Sequence, residues 1–156
     1  LIALVSDQLY QPVEHYRLED LQVTSGTMGM PTATVRISGP ESESVLQAEM
    51  GDGPVDATFK AIDKIINIPV TLLEYRVQAI TEGIDAQGDV SVRIRAESEK
   101  LARRKTPQKD FSQARTFGGR GVDTDIIVAS AKAYLSALNK LIEAKNTSKA
   151  SPVKKH

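Results

Sequence analysis

The segment Gly51-Asp52-Gly53-Pro54-Val55-Asp56-Ala57 marks a change of hydrophobic period within the 156 residues of this sequence. Before it, Leu46, Ala48 and Met50 alternate with polar residues, as in a β-strand. After it, apolar residues recur with the spacing of one helix face: Val55, Thr58, Phe59, Ile62, Ile65 and Ile66. Proline after glycine favours a helix start, because proline fits the first turn. The segment therefore predicts a strand, a tight turn and a helix that ends near Asn67 and Pro69.

Two more strands are predicted before this turn. Leu21 and Val23 alternate with polar neighbours, and glycines and a proline between Gly26 and Pro31 indicate a turn. The next run has the clearest period of two, with Ala33, Val35 and Ile37 on one face. Residues 16–68 thus predict three strands followed by one helix.

The same order recurs in residues 69–145. Strands are predicted over about 70–81, around 90–96 and near Ala114–Phe117, after which a helical stripe follows: Ile127, Ala131, Tyr134, Leu138, Leu141 and Ile142. Val35-Arg36-Ile37 recurs as Val92-Arg93-Ile94. Gly51-x-Gly53 is matched with Gly119-x-Gly121, and each pair is expected to open a helix. The extra length lies between Glu99 and Gln113.

The predicted fold is therefore α+β, with two pseudo-symmetric βββα units, each an antiparallel three-stranded sheet with one helix. One such unit is a small core, so the two are expected to pack together. Residues 1–15 are interpreted as a linker, and the absence of an initiator methionine suggests a fragment of a longer chain. Residues 146–156 are interpreted as a flexible tail.

Composition excludes several classes of function. Twenty basic and twenty acidic side chains cancel, so no strong field attracts nucleic acid or a membrane surface. There is no cysteine, no apolar run of about 20 residues that could span a membrane, and no basic leader segment. His15 and His156 stand in no metal-binding motif. No acidic pair forms a catalytic motif, so the chain predicts neither catalytic residues nor a metal site.

The predicted helix start has a chemistry of its own. Its first backbone N–H groups lack partners, and with the helix dipole they favour a carboxylate. Gly51 and Gly53 would let a ligand approach the backbone. For an amino acid, Asp52 or Asp56 could accept the ammonium group. An apolar pocket could come from Leu72, Tyr75, Ala79 and Val122. The alternative is a tight turn that binds nothing.

Several motifs together resemble the regulatory domain of the 2-isopropylmalate synthases. They are Tyr16–Gly26 with Pro31–Val35, the segment Gly51–Ala57, then Thr81–Gly88, and finally Gly119–Ile127. They stand in the same order as in that family and cover about residues 16–143. The related citramalate synthases, which sense isoleucine, carry a similar domain whose motifs depart further from Gly51–Ala57.

The resemblance implies a cytoplasmic homodimer that binds L-leucine as a feedback inhibitor. The parent enzyme would condense acetyl-CoA with 2-oxoisovalerate on a catalytic TIM barrel, which this chain lacks. No cofactor is expected in this fragment, and the divalent metal and acetyl-CoA would belong to the missing barrel. Isoleucine as effector, or a dimerisation module without ligand, are the alternatives.

Carried over residue by residue, the resemblance implies one leucine site. Its members would be Gly51, Asp52, Gly53, Val55 and Asp56 at the helix start, Leu72, Tyr75 and Ala79 on the next strand, Ala86 and Gly88 after its turn, and Val122 and Thr124 in the second glycine motif. A valine at Gly53 is expected to strain the turn and to block the ligand.

Overall fold

The computed structural model describes residues 15–26, 29–41, 43–82, 85–97 and 115–150. The first unit contains β1 (Arg17–Gly26), β2 (Gly29–Ser38), β3 (Ser44–Met50) and α1 (Pro54–Ile66). The second contains β4 (Val70–Glu82), β5 (Asp85–Ala96), β6 (Thr116–Asp123) and α2 (Ile126–Ala150). Two antiparallel sheets have the strand orders β1-β2-β3 and β4-β5-β6. The predicted pair of βββα units is confirmed.

The central strand of the first sheet forms the floor of its core. Ala33, Val35 and Ile37 on β2 are fully buried, as their alternation predicted. They lie beneath α1, whose buried face includes Ile62 and Thr58. Thr58 is tolerated there because its hydroxyl donates a hydrogen bond to the Pro54 carbonyl at 2.7 Å.

The apolar residues of β3 face away from this core. Gln47 pairs with Val35 in the sheet and Glu49 with Ala33, so these two polar residues share the helix-facing side. Leu46 and Met50 therefore lie on the outer side, where both are more than half exposed. The long side chain of Glu49 reaches Lys64 of α1, with Oε1 3.1 Å from Nζ. Alternation located the strand correctly, but it did not indicate which face meets the helix.

The second glycine motif lies inside a strand and does not open a helix. Gly119 and Gly121 belong to β6, and α2 begins later, at Ile126. A Cβ on Gly119 would lie 2.0 Å from the Ala133 carbonyl oxygen, and one on Gly121 would lie 2.2 Å from that of Ala129. Both positions need glycine because the helix backbone approaches the strand backbone directly. The predicted end of the third strand near Phe117 was wrong for this reason.

The sheet register also corrects the internal alignment of the repeat. Gly119 pairs with Val92, just as Gln47 pairs with Val35 in the first unit. Gly119 is thus the counterpart of Gln47, and the match with Gly51-x-Gly53 was wrong. The true counterpart of Gly53 is Asp125, since each directly precedes its helix.

The predicted linker, the predicted tail and the long connection between β5 and β6 lie wholly or partly outside the described residues. Helix α2 continues to Ala150, past the residue at which the tail was predicted to begin. The rest of that tail (151–156), most of the predicted linker (1–14) and the predicted loop 99–113 lie outside the described residues. Within the described parts, neither helix has the length and apolar character of a membrane span.

The two units share one core through their helices. The rings of Phe59 on α1 and Tyr134 on α2 stack with centroids 4.3 Å apart. Beside them the Tyr134 hydroxyl donates a hydrogen bond to Asp63 Oδ1 at 2.5 Å. Phe59 also meets the ring of Tyr75, on β4, edge to face at 6.1 Å. Apolar residues of both units are therefore buried in a single cluster.

The close contact between β6 and α2 can be tested with two neighbouring glycines. Replacement of Gly119 by alanine places a methyl group against helix backbone, so we expect a loss of about 3 kcal/mol or more in the free energy of unfolding. At Gly118 a Cβ would meet only the Val92 carbonyl oxygen, at 3.7 Å. Gly118→Ala should therefore change stability by no more than about 0.5 kcal/mol. Equilibrium urea unfolding measures both, and equal stabilities would contradict this packing.

Candidate functional site

The turn that opens α1 combines one crowded glycine with one open glycine. Gly51 is buried, its N–H donates to the Pro31 carbonyl at 3.0 Å, and a Cβ there would lie 2.5 Å from the Ala57 nitrogen. Gly53 precedes the helix with φ −152° and ψ 174°, and a Cβ there would meet nothing within 4 Å. This backbone is extended, which any residue adopts. The expectation that valine would strain the turn was therefore wrong, and the space beside Gly53 is open.

No side chain caps the start of α1. The carbonyl of Gly53 accepts the first helical hydrogen bond, from the Ala57 N–H at 2.9 Å. Pro54 has no N–H. The unpaired backbone N–H groups at the start of α1 therefore belong to the residues next to Pro54. They carry the positive end of the helix dipole.

Helix α2 begins differently, because an acidic side chain accepts one of its first N–H groups. Asp125 Oδ1 accepts the Ile127 N–H at 2.8 Å, and Asp123 Oδ1 accepts the Asp125 N–H at 3.0 Å. Lys132 Nζ lies 3.0 Å from the other oxygen of Asp123. The Asp125 N–H and then Lys132 hold the pKa of Asp123 below its usual range. Thr124 lies exposed within this turn. The two helix starts are thus unequal, because a side chain caps the second and none caps the first.

Two carboxylates stand beside the open helix start. Asp56 Oδ2 accepts the Asp52 N–H at 2.9 Å and lies 3.1 Å from Lys60 Nζ. The Asp52 N–H, followed by Lys60, lowers the pKa of Asp56. Asp56 is therefore ionised at neutral pH, and Asp52 is exposed next to it. Both can accept hydrogen bonds from an ammonium group.

An uncovered apolar stripe runs along β4. Leu72, Tyr75, Val77 and Ala79 pair with buried residues of β5, so they share the helix-facing side of the sheet. Strand β4 lies at the edge, and α2 packs on β5 and β6. Leu72, Tyr75 and Val77 consequently remain about 40% exposed on an inward face.

Tyr75 connects this stripe to both helices. Its hydroxyl lies 2.7 Å from Ser130 Oγ of α2, and its ring meets Phe59 of α1 edge to face. Phe59 lies one turn after Val55, so Tyr75 meets the face of α1 that also carries Val55. Ser130 was not among the predicted site residues. It could have been noticed as a small polar residue one turn after Ile126 in an otherwise apolar part of the helix.

Ten of the twelve predicted site residues fall into three places, and Thr124 lies in the turn before α2. Gly51, Asp52, Gly53, Val55 and Asp56 form the α1 start, while Leu72, Tyr75 and Ala79 lie on the β4 stripe. Gly88 pairs with Ala79 and is buried under Ile126, whose Cγ1 would lie 2.7 Å from a Cβ there. Ala86 lies one step further along the same face, opposite Thr81.

Val122 is the predicted site residue that the structure separates from the rest. It pairs with Asp89, on the outer face of the second sheet. Beside it Arg120 donates two hydrogen bonds to Asp89, at 2.8 and 2.6 Å, and lowers the pKa of that carboxyl. The sheet therefore stands between Val122 and the stripe that contains Tyr75.

A family model described as the LeuA allosteric (dimerisation) domain matches residues 1–142. The chain belongs to this family. Its resemblance to the regulatory domain of the 2-isopropylmalate synthases is confirmed by the names of its relatives. The description of the family names two properties, allostery and dimerisation. The geometry of the open helix start and of the uncovered stripe does not by itself assign either property.

Three relatives illustrate the match. A 2-isopropylmalate synthase of Gloeobacter violaceus is 47% identical over 139 residues, which are 89% of this chain and 23% of the relative. The protein named 2-isopropylmalate synthase 2, chloroplastic, from Arabidopsis thaliana is 44% identical over 91% of this chain and 22% of its own length. One from Heliobacterium modesticaldum is 48% identical over 91% of this chain and 24% of the relative. The chain thus spans about a quarter of the length of these relatives.

Among the residues that the structure describes, no group of three or more His, Asp and Glu side chains could hold a metal ion. The absence of a cofactor and the cytoplasmic location remain predictions.

The Asp63–Tyr134 pair predicts a pH dependence of stability. Burial raises the pKa of Asp63 above its ordinary 3.8, and the hydrogen bond from Tyr134 offsets this in part. Burial, and then the bond to Asp63, raise the pKa of Tyr134, which stays neutral. The pKa of Asp63 is thus higher in the folded chain than in the unfolded chain. Asp63 therefore contributes fully to the free energy of unfolding below pH 3.8, and this contribution is lost as the pH rises through the pKa of the folded state.

Asp63→Asn removes this titration and keeps an oxygen for the Tyr134 hydroxyl. Urea unfolding between about pH 4 and pH 8 should show the variant gaining stability relative to the unmodified chain as the pH rises. Asp52→Asn, at an exposed carboxylate, serves as the control. A difference for Asp63→Asn that did not change with pH would refute the assignment.

Proposed function

We propose that this chain is the regulatory domain of a 2-isopropylmalate synthase and that it binds L-leucine as feedback inhibitor. The observation that carries the proposal is the uncapped start of α1, together with the uncovered stripe of β4 that meets the same helix at Phe59 through Tyr75. Such a pair of surfaces suits an amino acid, which has a charged end and an apolar end. The membership of the chain in a family of allosteric domains supports a regulatory ligand.

The charged end of leucine would bind at the α1 start. Its carboxylate would accept hydrogen bonds from backbone N–H groups near Gly53, where the helix dipole also favours an anion. Its ammonium would lie against Asp52 or Asp56, which is held ionised. The start of α2 is the poorer seat, because the Asp125 carboxylate already accepts the Ile127 N–H, and the charges of Asp123 and Asp125 would repel a second anion.

The apolar end would lie on the β4 stripe beside Tyr75 and Leu72. Full burial of a leucine side chain contributes about 1.5–3 kcal/mol. Leucine and isoleucine differ only in where one methyl branches, which an apolar pocket discriminates by about 1–3 kcal/mol. The naming of the relatives as 2-isopropylmalate synthases, which make a leucine precursor, favours leucine over isoleucine.

Dimerisation would bury what the single chain leaves open. The stripe is apolar and inward-facing, yet about 40% exposed, so a second copy lying across it would remove that surface from water. In such a homodimer the partner would also close the ligand site. A dimerisation module that binds no effector is the competing function, and the same stripe favours it.

The chemistry of the parent enzyme would lie in the remaining three quarters of its length. That part would hold the divalent metal and acetyl-CoA and would condense acetyl-CoA with 2-oxoisovalerate. Leucine can inhibit there only if it binds the inhibited state of the enzyme more tightly than the active one.

Calorimetric titration with leucine, isoleucine and valine tests the effector. We expect heat of binding with leucine and an affinity at least about tenfold lower for valine, whose side chain is one methylene shorter. A preference for isoleucine would move the domain to the citramalate synthases. No heat with any of the three, from a chain that still dimerises, would leave the ligand-free module.

Gly53→Val tests the seat of the carboxylate. The side chain fills the open space beside the α1 start without strain, so leucine affinity should fall at least about tenfold while the unfolding midpoint stays near that of the unmodified chain. Gly29→Val is the matched control, because a Cβ at Gly29 also meets nothing within 4 Å and lies in another part of the fold. Unchanged leucine affinity in Gly53→Val would rule out this seat.

A further inference from the structure

We propose that Asn139 and Glu143 of α2 hold the chain at His15 and Tyr16, where it enters the first sheet, and that this grip carries the effector signal out of the domain. We call these two side chains the Asn139 clamp. The inference rests on the proposed function, because it assigns the route by which bound leucine acts on the part of the parent enzyme that precedes residue 15.

Asn139 binds backbone only. Its Oδ1 accepts the N–H groups of His15 and Tyr16 at 3.1 and 2.9 Å, and its Nδ2 donates to the Tyr16 carbonyl at 2.9 Å. It thereby pairs with both polar groups of one residue, as a neighbouring β-strand would. The side chain is buried, with 5% of the residue exposed, so loss of these bonds would leave buried polar groups unsatisfied. The position of Tyr16 is therefore tied to the position of α2.

Glu143 adds a second contact one helical turn further on. Its Oε2 lies 2.7 Å from His15 Nε2, and the His15 side chain is 16% exposed. Residues four apart lie on the same face of a helix, so Asn139 and Glu143 contact the same short segment. Together they hold both the backbone and a side chain of the incoming segment.

The same helix reaches the candidate effector site. Ser130 meets the Tyr75 hydroxyl, and Tyr134 stacks on Phe59. Asn139 lies nine positions after Ser130 in the helix, a distance of about 13 Å. One rigid element thus touches the β4 stripe near its start and the incoming chain near its middle.

Helix α2 is also fixed to its own sheet. The glycines of β6 leave no space between the strand and the backbone at Ala129 and Ala133. A ligand that changes the contact between Phe59 and Tyr75 must therefore shift α2 and the second sheet together, relative to the first unit. The Asn139 clamp lies on that same boundary between the units, so it registers the shift.

The direction of the signal follows from the relatives. The region they share with this chain is their C-terminal domain. The rest of a parent chain would therefore connect through the segment that the Asn139 clamp holds. A change in its grip would alter the angle or tension of that connection.

The test uses the full-length parent enzyme with Asn139→Ala. We expect leucine affinity, measured by calorimetry, to stay within about threefold, and the rate without leucine to be kept. The leucine concentration for half-inhibition should rise at least about tenfold, or inhibition should disappear. Lys145→Ala, at an exposed position on the same helix, should behave as the unmodified enzyme does.

A second variant and a second readout keep the test decisive. Asn139→Asp retains an acceptor for both N–H groups and loses the donor to the Tyr16 carbonyl, so it should fold and uncouple in part. Hydrogen exchange should show that leucine changes the protection of the amides at 15–18 in the unmodified enzyme and not in the variants.

The outcomes separate the two ideas. No leucine binding by the unmodified enzyme overturns the proposed function and the clamp with it. Normal binding together with normal inhibition in Asn139→Ala and Asn139→Asp overturns the clamp alone. Loss of binding in both variants also overturns it, because Asn139 would then support the site and not the coupling.

Discussion

The backbone contact between β6 and α2 is the constraint on which the rest of this structure depends. Gly119 and Gly121 let the helix lie directly on the strand, where any side chain would collide with the carbonyls of Ala129 or Ala133. That contact fixes both the depth and the rotation of α2. The rotation then decides that Ser130 faces Tyr75, that Tyr134 faces Phe59 and that Asn139 faces Tyr16.

The two units have the same order of strands and helix, but their helices differ in length and in how they begin. Helix α1 is short, begins without a cap, and leaves open space beside Gly53. Helix α2 is long and is closed at its start by Asp123 and Asp125. The doubled βββα unit has two equivalent helix starts, and the acidic residues at the second disfavour an anion there. This asymmetry is the reason that the first helix start is the one proposed as the ligand seat.

Most of the fold could be read from hydrophobic period, and its main error came from one pair of glycines. Ala33, Val35 and Ile37 were placed in the core correctly, since a period of two over a buried strand is unambiguous. Gly119 was wrongly predicted to lie in a turn. The sequence alone does not distinguish a glycine that allows a turn from one that allows another backbone to approach closely. The position of Val122 on the outer face followed from the same misplaced strand end. At the site, Ser130 and Asn139 carried no periodic signal, as each is one polar residue on an apolar helix.

The sequence by itself determined the elements, their order, the doubled unit and the family, because each is written in local spacing and in long motifs. Tertiary structure alone decided which glycine is open and which is crowded, since that depends on atoms distant along the chain. It also decided that β4 keeps an uncovered inward face, because the helix of its own unit is drawn onto β5 and β6. Contacts such as that of Asn139 with Tyr16 join residues more than a hundred positions apart, and only packing brings them together.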